Sequence, residues 1–233
     1  KIGQPGTEQE MLAKDQQQLE RVHRAIGGIE NPYTRDGKPR YYLDANGRYA
    51  QRQTLEALLD HAQRIGALGQ IAVVEEPFPE ESGEEVAGLG VLVAADESAH
   101  TDASAAERIQ RGYSAIAIKG AAKTLSMSLR ILRLAREHGI PCFCADSTAI
   151  PILVDWNKNL AARLPAFPGL DIGLVETNGA QNYADWERLV SYHPYGDATW
   201  NQAQQGVFPL DDAFYRHSGG IFAESLHYRA LFA

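Results

Sequence analysis

Cysteine is scarce in this chain of 233 residues: Cys142 and Cys144 are the only two. Two thiols give no disulfide framework and too few ligands for a zinc site, so a reducing cytoplasmic setting is the expectation. Long hydrophobic runs are also missing, and no stretch approaches the roughly 20 apolar residues that cross a bilayer. The first twenty residues are mostly polar and carry no signal-peptide pattern. Positive charge is in deficit: the net charge of −8 argues against a nucleic-acid or anionic-membrane surface and is compatible with cation binding. There is no repeat of fixed period, and low complexity is confined to Gln16-Gln17-Gln18. A Gly-rich phosphate turn after the first strand, which would point to a doubly wound nucleotide fold, is absent as well.

What is present is a set of short apolar runs, each stopping on a polar residue. Tyr41-Tyr-Leu-Asp44, Ile71-Ala-Val-Val-Glu75 and Val91-Leu-Val-Ala-Ala-Asp96 have strand length and strand composition. Residues 53–65, between the first two, are apolar at helical spacing. Strand, helix and strand in alternation imply a parallel sheet, whose functional edge lies where the strands end. Each acid taken alone could cap the helix that follows it. Three in succession, each at a strand end, suit a hard-cation site, because Mg²⁺ takes oxygen ligands and favours carboxylates.

The pattern continues along the chain. A helix is expected over 7–25, with Thr7 as N-cap and Gly27-Gly28 as stop. The acidic stretch 80–85 reads as a solvated helix start, and helices follow near 103–111, 124–138, 150–164 and 183–191. Further strands are expected at 113–119, ending on Lys119; at 140–145, delivering Asp146 and Ser147; and at 170–176, ending on Glu176. Six strands cannot close an eight-stranded ring. Lys1 is then expected to be the polar end of a strand whose earlier residues are absent. His193, His217 and His227 end no strand and read as surface or packing residues. The aromatic-rich stretch 194–233 is expected to pack on the barrel wall or on a missing domain.

In order, Lys1-Ile-Gly, Asp44-Ala-Asn46-Gly, Glu75-Glu-Pro, Asp96-Glu-Ser, Ala-Ile-Lys119 and Val-Glu176 resemble the enolase superfamily, in its mandelate racemase and muconate lactonising enzyme branch. The resemblance implies an α/β fold: a (β/α)8-type TIM barrel, seen here as a partial barrel starting at the end of the second strand. It implies a barrel portion over 1–193, a C-terminal extension over 194–233, and an N-terminal capping domain missing from this chain. Asp44, Glu75 and Asp96 are then the implied ligands of Mg²⁺, with Mn²⁺ as the alternative ion. Glu76 is the less fitting ligand of its pair, since the family's metal acid is the one farther from the proline. Lys1 and Lys119 are the implied acid/base pair, Lys119 being preferred to Lys123 because it directly ends the apolar run. Glu176 is implied to hydrogen-bond a substrate carboxylate, and Asn46, Asp146 and Ser147 are candidate substrate contacts. The chain departs from the family in having Asp146-Ser147 where mandelate racemase-like members carry a histidine, and Ala122-Lys123-Thr124 in place of a Gly-Gly.

The activity so implied is removal of the proton next to the carboxylate of a small substrate, through an enediolate. The outcome would be racemisation or epimerisation, cycloisomerisation or β-elimination, making the protein an isomerase or lyase, and a homo-oligomer. Members of the superfamily pair a Lys or His base with Mg²⁺ to stabilise the ene-diolate, a mechanism that comes with the resemblance rather than from these residues alone. A lysine near its ordinary pKa of about 10.4 is a poor base at neutral pH, so burial and neighbouring positive charge must lower it. Two other readings stand beside this one: a non-catalytic metal-binding relative or separated barrel module, and an acid-sugar dehydratase of the mandelate racemase-like subgroup.

Overall fold

The computed structural model describes residues 1–145 and 148–233; Asp146 and Ser147 fall outside the described residues. Its contacts divide the chain into two compact units. The first comprises Lys1–Ile118, Ser126–Phe143 and Pro165–Gly173, and the second Lys119–Leu125, Cys144–Leu164 and Leu174–Ala233.

The first unit opens with Ile2 buried and its N–H donating to the carbonyl of Asp44 at 2.8 Å, so the N-terminal residues run beside the first strand. Helix α1 (Glu8–Ile26) starts where the sequence predicts. Thr7 Oγ1 accepts from the Glu10 N–H and the Glu10 carboxylate accepts from the Thr7 N–H, a reciprocal cap of a kind that contributes about 1 kcal/mol. Asp15, fully buried in α1, accepts from the Gly3 N–H at 2.8 Å and from the Tyr49 hydroxyl at 2.8 Å. That carboxylate ties the N-terminal segment to the loop after the first strand.

The sheet has five strands: β1 (Tyr41–Asp44), β2 (Ile71–Glu75), β3 (Val93–Ala95), β4 (Ala115–Ile118) and β5 (Cys142–Cys144). They lie in sequence order, and β1 through β4 pair in parallel. Helices α2 (Arg52–Arg64), α3 (Asp102–Gln110) and α4 (Leu125–Glu137) make the crossovers. The parallel sheet is as expected from the alternation, and this is the architecture of part of a (β/α)8 barrel, as the resemblance implies. Every residue of β2 and β4 is buried, because a barrel strand is covered on both faces. Leu55, Leu58 and Ala62 of α2 and Ile131 and Ala135 of α4 are fully or almost fully buried. A buried leucine of this kind stabilises by roughly 1.5–3 kcal/mol. Phe143 of β5 meets Tyr42 and Phe167 edge-on, each at 5.5 Å between ring centroids.

Two expected elements are corrected. The run 170–176 forms no strand. Leu170 makes an isolated antiparallel bridge with Thr34, and the Asp171 N–H is taken by the Tyr33 carbonyl at 3.0 Å. With its first half drawn into that loop, the remainder forms, among the described residues, a single bridge of Val175 with Cys144. The acidic stretch 80–85 is a turn rather than a helix start; the Ser82 N–H closes on the Pro79 carbonyl, and Ser82 Oγ then accepts from the Glu84 N–H.

In the second unit, α5 (Pro151–Ala161) begins with proline in its first turn, where a missing N–H costs nothing. The helix expected over 183–191 is found as the shorter α7 (Trp186–Ser191), preceded by a separate turn of helix, α6 (Gly179–Asn182), and the C-terminal stretch adds α8 (Asp212–His217) and α9 (Leu226–Ala230). Gly219, at φ +63°, lies so close to α5 that an added Cβ would stand 3.1 Å from Asp155 Cβ and 2.7 Å from the Phe214 ring. No helix among the described residues is long and apolar enough to cross a membrane.

Candidate metal centre

The register of the sheet sets the site. Asp44 on β1 is the Cα partner of Glu75 on β2, and Glu75 is the partner of Ala94 on β3. Register partners in a parallel pair project to the same face, and alternation returns the chain to that face two residues later, at Asp96. The residues at these strand ends are thus carried to one face of the sheet, although Asp44 is not a member of the close acid group formed there. All three are buried, Asp96 completely.

Glu75, Asp96 and Glu97 each offer an oxygen, and those oxygens lie within 4.8 Å of one another. Glu97 is a member that the strand pattern does not predict. Strict alternation would send it to the face opposite Asp96, but β3 ends at Ala95 and the chain is already turning. Its only sequence signal is adjacency to Asp96. The Tyr42 hydroxyl donates to Glu75 Oε2, which orients that side chain. Asp44 is engaged differently: its Oδ2 pairs with Lys1 Nζ, and its Oδ1 accepts from the Asn46 N–H at 2.8 Å. Lys1 Nζ also donates to Asn46 Oδ1 at 2.9 Å, so Lys1, Asp44 and Asn46 are brought together. Asn46 and Gly47 both adopt positive φ. Gly47 sits against the backbone of Phe78 and Pro79, where an added Cβ would approach to 3.1 Å, and its N–H reaches the Glu76 carbonyl at 2.6 Å.

Glu76, next to Glu75, faces another way. At φ +37° it lies in the left-handed region that non-glycine residues rarely occupy. Its Oε2 accepts from the Asp96 N–H at 2.7 Å, the Ser98 N–H at 3.2 Å and the Ser98 hydroxyl at 3.0 Å. Burial pushes its carboxyl above the usual carboxylate range, against the opposing pull of those hydrogen bonds. Tyr113 is pushed up to about 12, by burial first and then by the negative charge of Glu76. A cleft of about 780 Å³, lined in part by Asn46, Arg48, Glu76 and Glu97, shares Glu97 with the acid group.

Lys119 follows β4 directly, and the Lys123 N–H closes a turn onto its carbonyl at 2.9 Å. It lines a cavity of about 390 Å³ with Ala145, Ile150, Leu153, Asn157 and Tyr183. Glu176 follows the Val175 bridge, its N–H donating to the Cys144 carbonyl at 2.8 Å. Asp146 and Ser147, expected substrate contacts, lie outside the described residues. His193 is buried: its Nδ1 accepts from the Tyr195 N–H, leaving Nε2–H to face Asp155 Oδ2 at 2.9 Å.

The acid group matches a hard divalent ion: carboxylate oxygens are the donors Mg²⁺ takes, and three within 4.8 Å are close enough to share one. Comparisons with known proteins agree with the fold. A mandelate racemase/muconate lactonizing protein from Herpetosiphon aurantiacus is 22% identical at a TM-score of 0.60, over 75% of this chain and 46% of its own. The L-Ala-D/L-Glu epimerase from Bacillus subtilis is 18% identical at 0.61, over 79% of this chain and 47% of its own. A dipeptide epimerase from Cytophaga hutchinsonii, solved with Mg and the dipeptide D-Ala-L-Val, is 16% identical at 0.59, over 79% and 45%. This chain therefore spans under half the length of these structures. None of the curated proteins compared with it matches. The family profile described as "Enolase C-terminal domain-like" matches residues 1–190, and the chain belongs to that family.

Proposed function

We propose that the protein removes the proton α to the carboxylate of a small substrate, in a Mg²⁺-dependent reaction of the isomerase or lyase type. The observation that carries this reading is the convergence of Glu75 and Asp96, from the ends of adjacent strands, to within 4.8 Å of each other and of Glu97. Glu75 and Asp96 would hold the ion, with Asp44, the register partner of Glu75, as third carboxylate. Glu97 is the second reading for that third position, favoured by its place inside the acid group. When bound, Mg²⁺ would supply the positive charge that stabilises the substrate carboxylate as its α-proton leaves. The names of the similar structures, epimerase and muconate lactonizing enzyme, support this class of chemistry.

The chain's own groups divide the remaining work. Lys1, held through Nζ by Asp44 and Asn46, takes or returns the proton on one side of the α-carbon. Lys119 is the second proposed acid/base; two bases permit inversion, and with a leaving group on the substrate, one lysine alone would give elimination. Glu176 accepts or donates a hydrogen bond at the substrate carboxylate. Asn46, Asp146 and Ser147 contact the rest of the substrate.

Solvent deuterium exchange at the α-carbon of a panel of hydroxy acids, amino acids and dipeptides tests the chemistry. Exchange that falls by roughly 10²–10⁴ in Lys119→Ala is the expected result. Exchange unaffected by both Lys119→Ala and Lys1→Ala would remove the two lysines from the mechanism. Comparing Mg²⁺ affinity in Asp44→Asn and Glu97→Gln decides between the two third ligands.

A further inference from the structure

Glu76 is as deeply buried as Glu75 and Asp96, yet its geometry gives it a different task. One oxygen, Oε2, collects three donors from the turn that follows β3: the N–H of Asp96, the N–H of Ser98 and the hydroxyl of Ser98. Its own N–H is bonded to the Ala94 carbonyl at 2.9 Å, and its carbonyl takes the Gly47 N–H from the loop after β1. The residue is thus fastened to both neighbouring loops. The left-handed backbone at Glu76 is what makes this reach feasible. Alternation keeps Glu75 on the face of Asp44, and the left-handed backbone at Glu76, just past the end of β2, turns its side chain to the β3 turn.

We propose that Glu76 is a positioning residue for the metal centre: by clamping the backbone of Asp96 and Ser98 it holds Asp96, and Glu97 between them, at the distance from Glu75 that a shared cation requires. This rests on the metal reading given above. What the clamp needs is an acceptor oxygen at the right reach; negative charge is secondary. All three donors converge on a single oxygen, and a glutamine has one such oxygen on a side chain of the same length. An aspartate keeps the charge but, being one methylene shorter, withdraws the acceptor.

Mg²⁺ titration calorimetry on the wild type, Glu76→Gln and Glu76→Asp separates these contributions, with thermal melting of each variant run alongside. Glu76→Gln is expected to bind Mg²⁺ within about threefold of the wild type. Glu76→Asp is expected to bind it at least tenfold more weakly, in line with the roughly 10–100-fold losses seen when groups that orient metal ligands are removed. Amide exchange adds a readout free of metal: the Asp96 and Ser98 N–H groups should exchange faster in Glu76→Asp and at the wild-type rate in Glu76→Gln. Wild-type affinity in Glu76→Asp, or loss in Glu76→Gln with retention in Glu76→Asp, overturns the clamp while leaving the metal reading intact. A wild type that binds no Mg²⁺ overturns the metal reading and the role assigned to Glu76 with it.

Discussion

Two charged clusters, one in each unit, differ in the signs of the groups they bring together. In the first unit Glu75, Asp96 and Glu97 place three acids within 4.8 Å of one another. In the second, Asp155 is met by Lys158 Nζ on one oxygen and by His193 Nε2 at 2.9 Å on the other. Lys158 also donates to the Trp200 carbonyl at 2.6 Å and lies over the Phe208 ring at 4.4 Å. Asp155 and Lys158 sit on consecutive turns of α5, whereas His193, Trp200 and Phe208 come from the stretch beyond α7. The mixed-sign cluster brings opposite charges within ion-pair distance and fastens a C-terminal segment to a helix. The gathering of acids is a donor set suited to a cation from outside. Of the two, the acid group is the one whose carboxylates could hold a divalent ion.

The contrast can be broken most severely in the second unit. Lys158→Met leaves Asp155 buried with only His193, and breaking a buried ion pair in this way costs about 3–5 kcal/mol. Urea unfolding measures it. The paired variant Asp155→Asn/Lys158→Met removes both charges and keeps an acceptor for His193 Nε2, so it should recover most of the loss. If both variants are equally unstable, shape rather than charge matching holds that cluster.

In the first unit Tyr42→Phe removes the hydroxyl that donates to Glu75. A hydrogen bond to a charged group contributes about 1.5 kcal/mol or somewhat more, and a loss of that size in urea is expected. No loss would mean that Glu75 is oriented by other contacts.

The smallest effect is a pH slope. Burial pushes the Lys158 ammonium below its ordinary value of 10.5, outweighing the opposing pull of Asp155. Between that lowered folded value and the unfolded one, the unfolded chain holds a proton that the folded chain has released. Stability therefore rises with pH across this window and is lost as pH falls through the folded value. The slope is at most about 1.4 kcal/mol per pH unit. Urea midpoints at a series of alkaline pH values should show it in the wild type and not in Lys158→Met.

The barrel portion is legible in the sequence because strand, helix and strand-end acid recur with regular spacing, and each of these is a local signal. The positions of Glu75 and Asp96 follow from it, since register and alternation carry them to one face. Glu97 does not, because the rule that places side chains stops operating where the strand stops. The strand expected over 170–176 fails for a non-local reason: the Asp171 N–H is taken by Tyr33, more than a hundred residues earlier. Asp15 and the Asp155–Lys158–His193 cluster are silent in the same way. A buried charge reads as a surface charge until the partner that satisfies it is known, and His193 lies 38 positions from Asp155 along the chain. Glu76 is the less fitting ligand on sequence grounds, but its hold on the β3 turn can be read only from its positive φ and its three donors.

That acids from neighbouring strand ends form one divalent-cation site is tested most directly by calorimetric titration of Mg²⁺ into the wild type, Glu75→Gln and Asp96→Asn. One saturable site in the wild type, weakened at least tenfold in each variant, is the predicted result. Absence of saturable binding in the wild type, or affinity unchanged by both substitutions, would contradict it.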